Sequence, residues 1–353
     1  MTRRTIPDFL NKPAPEPPAT RLADMGLKPH FTRQLADYPG HIPARVTAVH
    51  RSSLSLITAD GPTTCIPLEG MTVGDWLVLD PDTHQPSLLE RLSLFKRRAP
   101  GHDRREQLIA ANVDTLFIVS SCNQDFNLAR LERYLALAYE AEVTPVIVLT
   151  KSDQAADPDG YRDQVLDMQP GVLVEVLNAK DADDITRLRP WCGRGETVAL
   201  VGSSGVGKST IANSLRGDAT MKTGDIREDD AKGRHTTSHR EMLPLEGGGW
   251  LIDTPGMREL QMSDVAAGID EVFADLAELA QSCKFRNCAH ESEPGCAVKA
   301  AVEAGQIDQS RVDRWQKLRS EDAFNAKALH QRRADDRAFG KMVKGAMKHK
   351  KKR

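Results

Sequence analysis

A chain of 353 residues, 40% apolar and 28% charged, has the composition of a globular protein of roughly two or three domains. The formal charge of −2 hides an asymmetry: residues 331–353 carry ten Lys/Arg against Asp335 and Asp336, leaving about −10 on residues 1–330. No run of about 18 apolar residues exists to span a membrane, and Met1–Leu10 lacks a signal-peptide core, so a cytoplasmic location is expected.

Residues 1–40 hold Pro7, Pro13, Pro15, Pro17 and Pro18 and read as an extended, coreless extension. From residue 41 to about 97 come short β-type runs at Ala44–Val49, Leu54–Thr58, Cys65–Leu68 and Trp76–Leu79, with a fifth near Leu88–Leu94. Turn signals at Asp60-Gly61 and Gly74-Asp75 separate them. Five strands at this spacing fit an OB-fold, and an SH3-like barrel fits the same pattern.

Beyond residue 98 the period changes. Val113–Ser120, Pro145–Leu149, Gly171–Val176, Thr197–Val201 and Trp250–Ile252 are apolar runs, and Leu128, Leu131, Leu135 and Ala138 recur at helical spacing. Strands alternating with helices predict a parallel, doubly wound α/β sheet over 98–262. The stretch 263–330 reads as mainly helical around a Cys/His cluster, and 331–353 as a basic tail.

Three motifs in the α/β region carry chemistry. Gly202-Ser203-Ser204-Gly205-Val206-Gly207-Lys208-Ser209, followed by Thr210, is a full phosphate loop between a strand and a helix. Its glycines let backbone N–H groups face phosphates, Lys208 adds charge, and the Ser209 hydroxyl suits Mg²⁺. Asp253-Thr254-Pro255-Gly256 ends a strand, where Asp253 serves the Mg²⁺ shell and Gly256 can turn its N–H toward a γ-phosphate. Thr150-Lys151-Ser152-Asp153 also ends a strand. Its Asp153 carboxylate can accept both guanine N1–H and N2–H₂, and the Lys151 stem can pack along the base. Thr150 stands where Asn is usual. Asn178-Ala179 follows the next strand, where a backbone N–H can meet the guanine O6.

The order is unusual. The base-reading motif precedes the phosphate loop by about fifty residues, where an ordinary GTPase has it last, so the domain is circularly permuted. Between the phosphate loop and Asp253 lies Gly233-Arg234-His235-Thr236-Thr237-Ser238, at the position of a first switch. Thr236 or Thr237 can reach Mg²⁺ there, with Thr237 slightly favoured. Met257 stands where many switch GTPases carry a water-orienting Gln, so turnover is slow or another group supplies the role. His235 is the nearest candidate, and a structural histidine is the competing reading.

Cys283, Cys288, His290 and Cys296 have the spacing C-x4-C-x-H-x5-C. Three thiolates and one imidazole suit a closed, structural, tetrahedral Zn²⁺ site. Cys65, Cys122 and Cys192 are scattered and read as buried small side chains.

Together, Ile109–Asp114, TKSD, GSSGVGKST, GRHTT, DTPGMREL and CKFRNCAHESEPGC resemble the RsgA (YjeQ) family of circularly permuted GTPases of small ribosomal subunit biogenesis. The resemblance implies an N-terminal OB-fold, a permuted GTPase domain and a C-terminal zinc-binding domain. It implies hydrolysis of GTP to GDP, stimulated by the small subunit late in its maturation. It also implies His235 in place of the missing Gln. Contact of the flanking domains and tail with rRNA, and a monomer, are expected. The basic tail fits phosphate contacts. A metabolic phosphotransferase lacks an acceptor site in this sequence, and a GTP-gated RNA chaperone without catalysis is the remaining alternative.

Overall fold

The computed structural model describes residues 22–98, 106–217, 240–253 and 265–326. His235, Thr236, Thr237, Gly256, Met257 and the basic tail lie outside them.

The expectation of an extended segment through residue 40 gives way at Leu22. A 3₁₀ turn over Leu22–Met25 leads into helix α1 (Pro29–Leu35), started by proline at its first position. Met25 and Phe31 are fully buried, and the Phe31 ring lies 5.8 Å from Trp76. The proline cluster ends at Pro18, leaving only Pro29 at the start of α1 and Pro39 beyond its end, and the apolar spacing of Leu22, Met25, Phe31 and Leu35 prevails.

Strands β1 (Ile42–Val49), β2 (Leu54–Thr58), β3 (Gly61–Cys65), β4 (Trp76–Leu79) and β5 (Pro86–Leu88) make the barrel-like part. The third and fifth lie earlier than their apolar runs suggest. Gly61 opens a tight hairpin with β2, leaving Ile66 and Leu68 exposed beyond the strand. β1 is bent by a register shift between Val46 and Ala48. Its first half pairs with β4, its last two residues with β12 (Arg240–Pro244). A hairpin of β6 (Leu94–Arg98) and β7 (Glu106–Ala111) leads into the α/β part.

There, β8 (Thr115–Ser121), β9 (Thr144–Thr150), β10 (Leu173–Val176), β11 (Thr197–Val201) and β13 (Trp250–Asp253) run parallel in the order β10-β9-β8-β11-β13, with β12 antiparallel between β13 and β1. Near-continuous burial of β8 explains its unbroken apolar sequence. Helices α2 (Leu128–Glu140), α3 (Pro158–Met168), α4 (Ala182–Ile185) and α5 (Lys208–Arg216) connect the strands. Asn127 caps α2 by accepting from the Arg130 N–H.

The C-terminal part is helical: α6 (Ala266–Val272), α7 (Ala274–Gln281), α8 (Ala297–Glu303) and α9 (Gln309–Ala326). α6 lies so close to α2 that a Cβ at Gly268 would strike the Ala136 carbonyl. α9 grips α2 through Arg314 Nε, 2.7 Å from the fully buried Glu132 carboxylate, and through Arg133 to Glu321 at 2.6 Å. Arg45 joins three parts of the chain. Its buried guanidinium donates to Met25 O, to Asn112 O at 3.2 Å and to Thr197 Oγ1 at 2.8 Å. Burial, partly offset by Asp114, Asp75 and Glu196, lowers it to about 10. No described helix is long and apolar enough to cross a membrane.

Candidate nucleotide site and metal centre

From β8 the chain moves outward to β9, whereas from β11 it moves the other way to β13. The crevice at the carboxyl ends of β8 and β11 is therefore a topological switch point, where open α/β sheets take ligands. The phosphate-loop sequence sits there. Gly202 leaves β11 at φ 139°, and a Cβ on it would strike the Val119 carbonyl. Gly205 and Gly207 also take positive φ, 76° and 105°, which other residues resist. Lys208 opens α5 and is buried. Its ammonium donates to Gly202 O at 2.8 Å and to Ser203 O, curling over the loop. Val206 is buried beneath, while Ser204, Gly205 and Ser209 are exposed at the mouth and Thr210 is half-buried.

The motifs distant in sequence converge on this loop. A Cβ at Gly207 would lie 3.6 Å from the Thr150 side chain and 3.8 Å from the Ala179 Cβ. Thr150 itself is fully buried, its hydroxyl 2.5 Å from Val206 O and 3.1 Å from Ser120 O. It ties strand ends to the loop and faces protein on all sides. Lys151 takes a left-handed φ of 59°, which turns the chain into a 3₁₀ turn carrying the exposed Asp153. Asn178 accepts from Lys180 N at 3.0 Å, and its own N–H donates to Asp184 at 2.8 Å. Both bonds hold its loop. Asp253 closes β13 opposite Glu241.

Arg130, in the first turn of α2, is absent from the sequence reading. Its guanidinium donates to the Ser203 hydroxyl and, at 3.0 Å, to the Asp125 carboxylate. Its signal in the sequence is positional: an Arg three residues past the Asn127 cap, on the helix after the strand beside β11.

Cys283, Cys288, His290 and Cys296 come together with all ligand atoms within 4.8 Å of one another. Cys283 Sγ lies 3.9 Å from Cys296 Sγ and 3.6 Å from His290 Nδ1, and Cys296 Sγ lies 3.5 Å from that nitrogen. A tetrahedral ion with metal–sulfur bonds of about 2.3 Å and metal–nitrogen bonds of about 2.0 Å needs edges of about 3.8 and 3.5 Å. The donor set fits a metal ion. Burial raises the Cys283 thiol, but N–H groups of Ala297 and Val298, together with the Cys296 and Cys288 thiols, outweigh it and the thiol ends lowered. Burial and its thiol neighbours push Cys288 up to about 11. One thiolate is thus favoured and a cation would accommodate the others. Burial, then Arg319, lowers His290, keeping it neutral as a ligand must be. Glu293, also missed by sequence reasoning, collars the loop by accepting from Ala289, Glu291 and Ser292 N–H groups, which hold its carboxyl at about 2.

A family model described as RsgA GTPase matches residues 88–263. The small ribosomal subunit biogenesis GTPase RsgA 2 of Vibrio parahaemolyticus is 51% identical over 94% of each chain. The small ribosomal subunit biogenesis GTPase RsgA of Mesorhizobium japonicum is 52% identical over 86% of this chain and 90% of its own. Among solved structures, YjeQ from Thermotoga maritima matches with a TM-score of 0.57 at 25% identity, over 79% of this chain and 97% of that one. YloQ, a circularly permuted GTPase, matches with a TM-score of 0.56 at 24% identity, over 82% and 98%. Motif order, strand order and these likenesses agree, and the chain belongs to the RsgA family of circularly permuted GTPases.

Proposed function

We propose that this protein hydrolyses GTP and acts in maturation of the small ribosomal subunit, with turnover stimulated by that subunit. The observation that carries the reading is the meeting of Gly207, Thr150 and Ala179 at the switch point between β8 and β11. The loop Gly202–Thr210 would cradle the phosphates, with Lys208 leaving its carbonyl partners for the β- and γ-oxygens. Asp153 would read guanine beside the Lys151 stem, with Asn178-Ala179 at the base edge. Ser209, one of Thr236 and Thr237, and Asp253 would hold Mg²⁺, which neutralises phosphate charge when bound. His235 would orient the attacking water in the absence of a Gln at Met257.

The metal of the Cys₃His cluster is Zn²⁺ in this reading, in a structural role. The division is an extension (1–40), an OB-fold (41–97), a permuted GTPase domain (98–262), a zinc-binding domain (263–330) and a basic tail. The barrel, the zinc domain and the tail contact rRNA, and the protein works as a cytoplasmic monomer. Met257 supports a second reading, a GTP-gated rRNA chaperone with negligible catalysis. Turnover of GTP and of ATP, with and without purified small subunits, decides between them. GTP-selective turnover that rises with subunits supports the first reading. Equal, negligible turnover in both conditions supports the second, and efficient ATP use refutes the guanine assignment.

A further inference from the structure

The metal loop presents an aromatic ring to solvent. Lys284, Phe285, Arg286 and Asn287, the four residues between Cys283 and Cys288, are all exposed, and Phe285 is 41% so. The segment is held in shape from both ends. Lys284 N donates to Gly295 O at 3.1 Å, Cys288 N donates to Phe285 O at 3.2 Å, and Cys283 and Cys288 are drawn into the metal cluster. Gly295, at φ 76°, packs directly beneath the Lys284 side chain. The ring is therefore displayed on a rigid turn. A cation lies over it, the Lys284 ammonium 5.6 Å from the ring centroid, and the exposed Arg286 follows in sequence. Of the two acids between Cys283 and Cys296, Glu293 turns its carboxylate onto backbone N–H groups, which leaves Glu291 as the exposed one.

We infer that Phe285 is a stacking platform for an unpaired RNA base, with Lys284 and Arg286 placed for the flanking phosphates. An exposed aromatic ring with cationic residues on either side of it in sequence, on a fixed backbone, is what single-stranded nucleic acid uses. Every base has a π-face, and the ring loses little freedom on binding. A purely apolar protein pocket would accept the ring but would have to desolvate both cations. The inference rests on the reading that this protein binds the small subunit's RNA, and it names where an unpaired base sits.

The test uses the full-length protein with Phe285→Ala, Phe285→Leu and Phe285→Trp. Equilibrium binding is measured to small subunits and to protein-free rRNA extracted from them, alongside metal content. Unchanged metal content is expected in all three variants. Ala and Leu should weaken binding to both targets by about tenfold, and Trp should preserve it. Neither loss should change the salt slope, whereas Arg286→Ala should lower that slope by about one. Wild-type affinity in Phe285→Ala overturns the platform. So does a loss confined to intact subunits, which would point to a ribosomal protein, and so does full binding by Leu. A wild-type protein that binds neither target overturns the RNA reading itself and this site with it.

Discussion

The Thr150 hydroxyl lies 2.5 Å from the carbonyl oxygen of Val206, joining the end of β9 to the phosphate loop across 56 residues of sequence. Thr150 thus serves the shape of the loop, which under the proposed function leaves selectivity for the base to Asp153. Thr150→Val keeps the volume and removes the bond, leaving Val206 O unsatisfied. Affinity for GTP and GDP should fall together by about 3–10-fold. The ratio of GTP to ATP affinity should stay constant, and a changed ratio would put Thr150 at the base after all.

Arg130 donates to the Ser203 hydroxyl and Lys208 to the Ser203 carbonyl, so one residue of the phosphate loop is fixed by two cations. Arg130→Ala should raise the GTP Kd by roughly tenfold, the scale of a charge-assisted hydrogen bond. Arg130→Lys should recover part of it. The melting temperature should barely move, because the side chain is about a third exposed and its ion pair with Asp125 is at the surface.

Glu132 is buried between Arg314 and Arg311, and burial raises its carboxyl despite both. A carboxyl raised on folding binds more protons folded than unfolded, so its ionisation costs stability as pH rises from about 4.3 through the folded value. Arg314→Ala should raise it further. The variant's deficit should therefore be small at low pH, where Glu132 is protonated in both proteins, and should grow with pH to about 2–3 kcal/mol. Denaturant melts across that range check the trend, and a deficit constant with pH would show that Arg314 acts through packing alone.

The metal loop has little apolar core of its own, so the ion should supply its folding energy. Purified protein should hold about one zinc per chain after dialysis. Cys288→Ser should release it and lower the melting temperature. Zinc-free protein of unchanged stability would refute the site.

Much of this was legible in the sequence because it is carried by short range patterns. β8 and β9 are continuous apolar runs, the phosphate loop needs glycine at 202, 205 and 207, and the four metal ligands lie within fourteen residues. What escaped depends on distant partners. β12, with Arg240 and Glu241 at its start, has no apolar alternation of its own and exists because β13 and β1 pair with it on either side. Leu22–Leu35 was masked by the neighbouring prolines. The roles of Thr150 and Arg130 follow from where the switch-point crevice brings Val206 and Ser203, which composition and spacing do not encode.

The pairing of Val49 with Arg240 makes the barrel's first strand the outer guard of the nucleotide-binding sheet. Without it, the Arg240-Glu241 start of β12 would lose its β1 partners and present unpaired N–H and C=O groups, a template for chain-to-chain pairing. A truncated protein beginning after the barrel should therefore self-associate rather than behave as a free-standing GTPase. Inheritance of the barrel by descendants of this chain is constrained accordingly: it can be reshaped, but shedding it uncovers an adhesive edge.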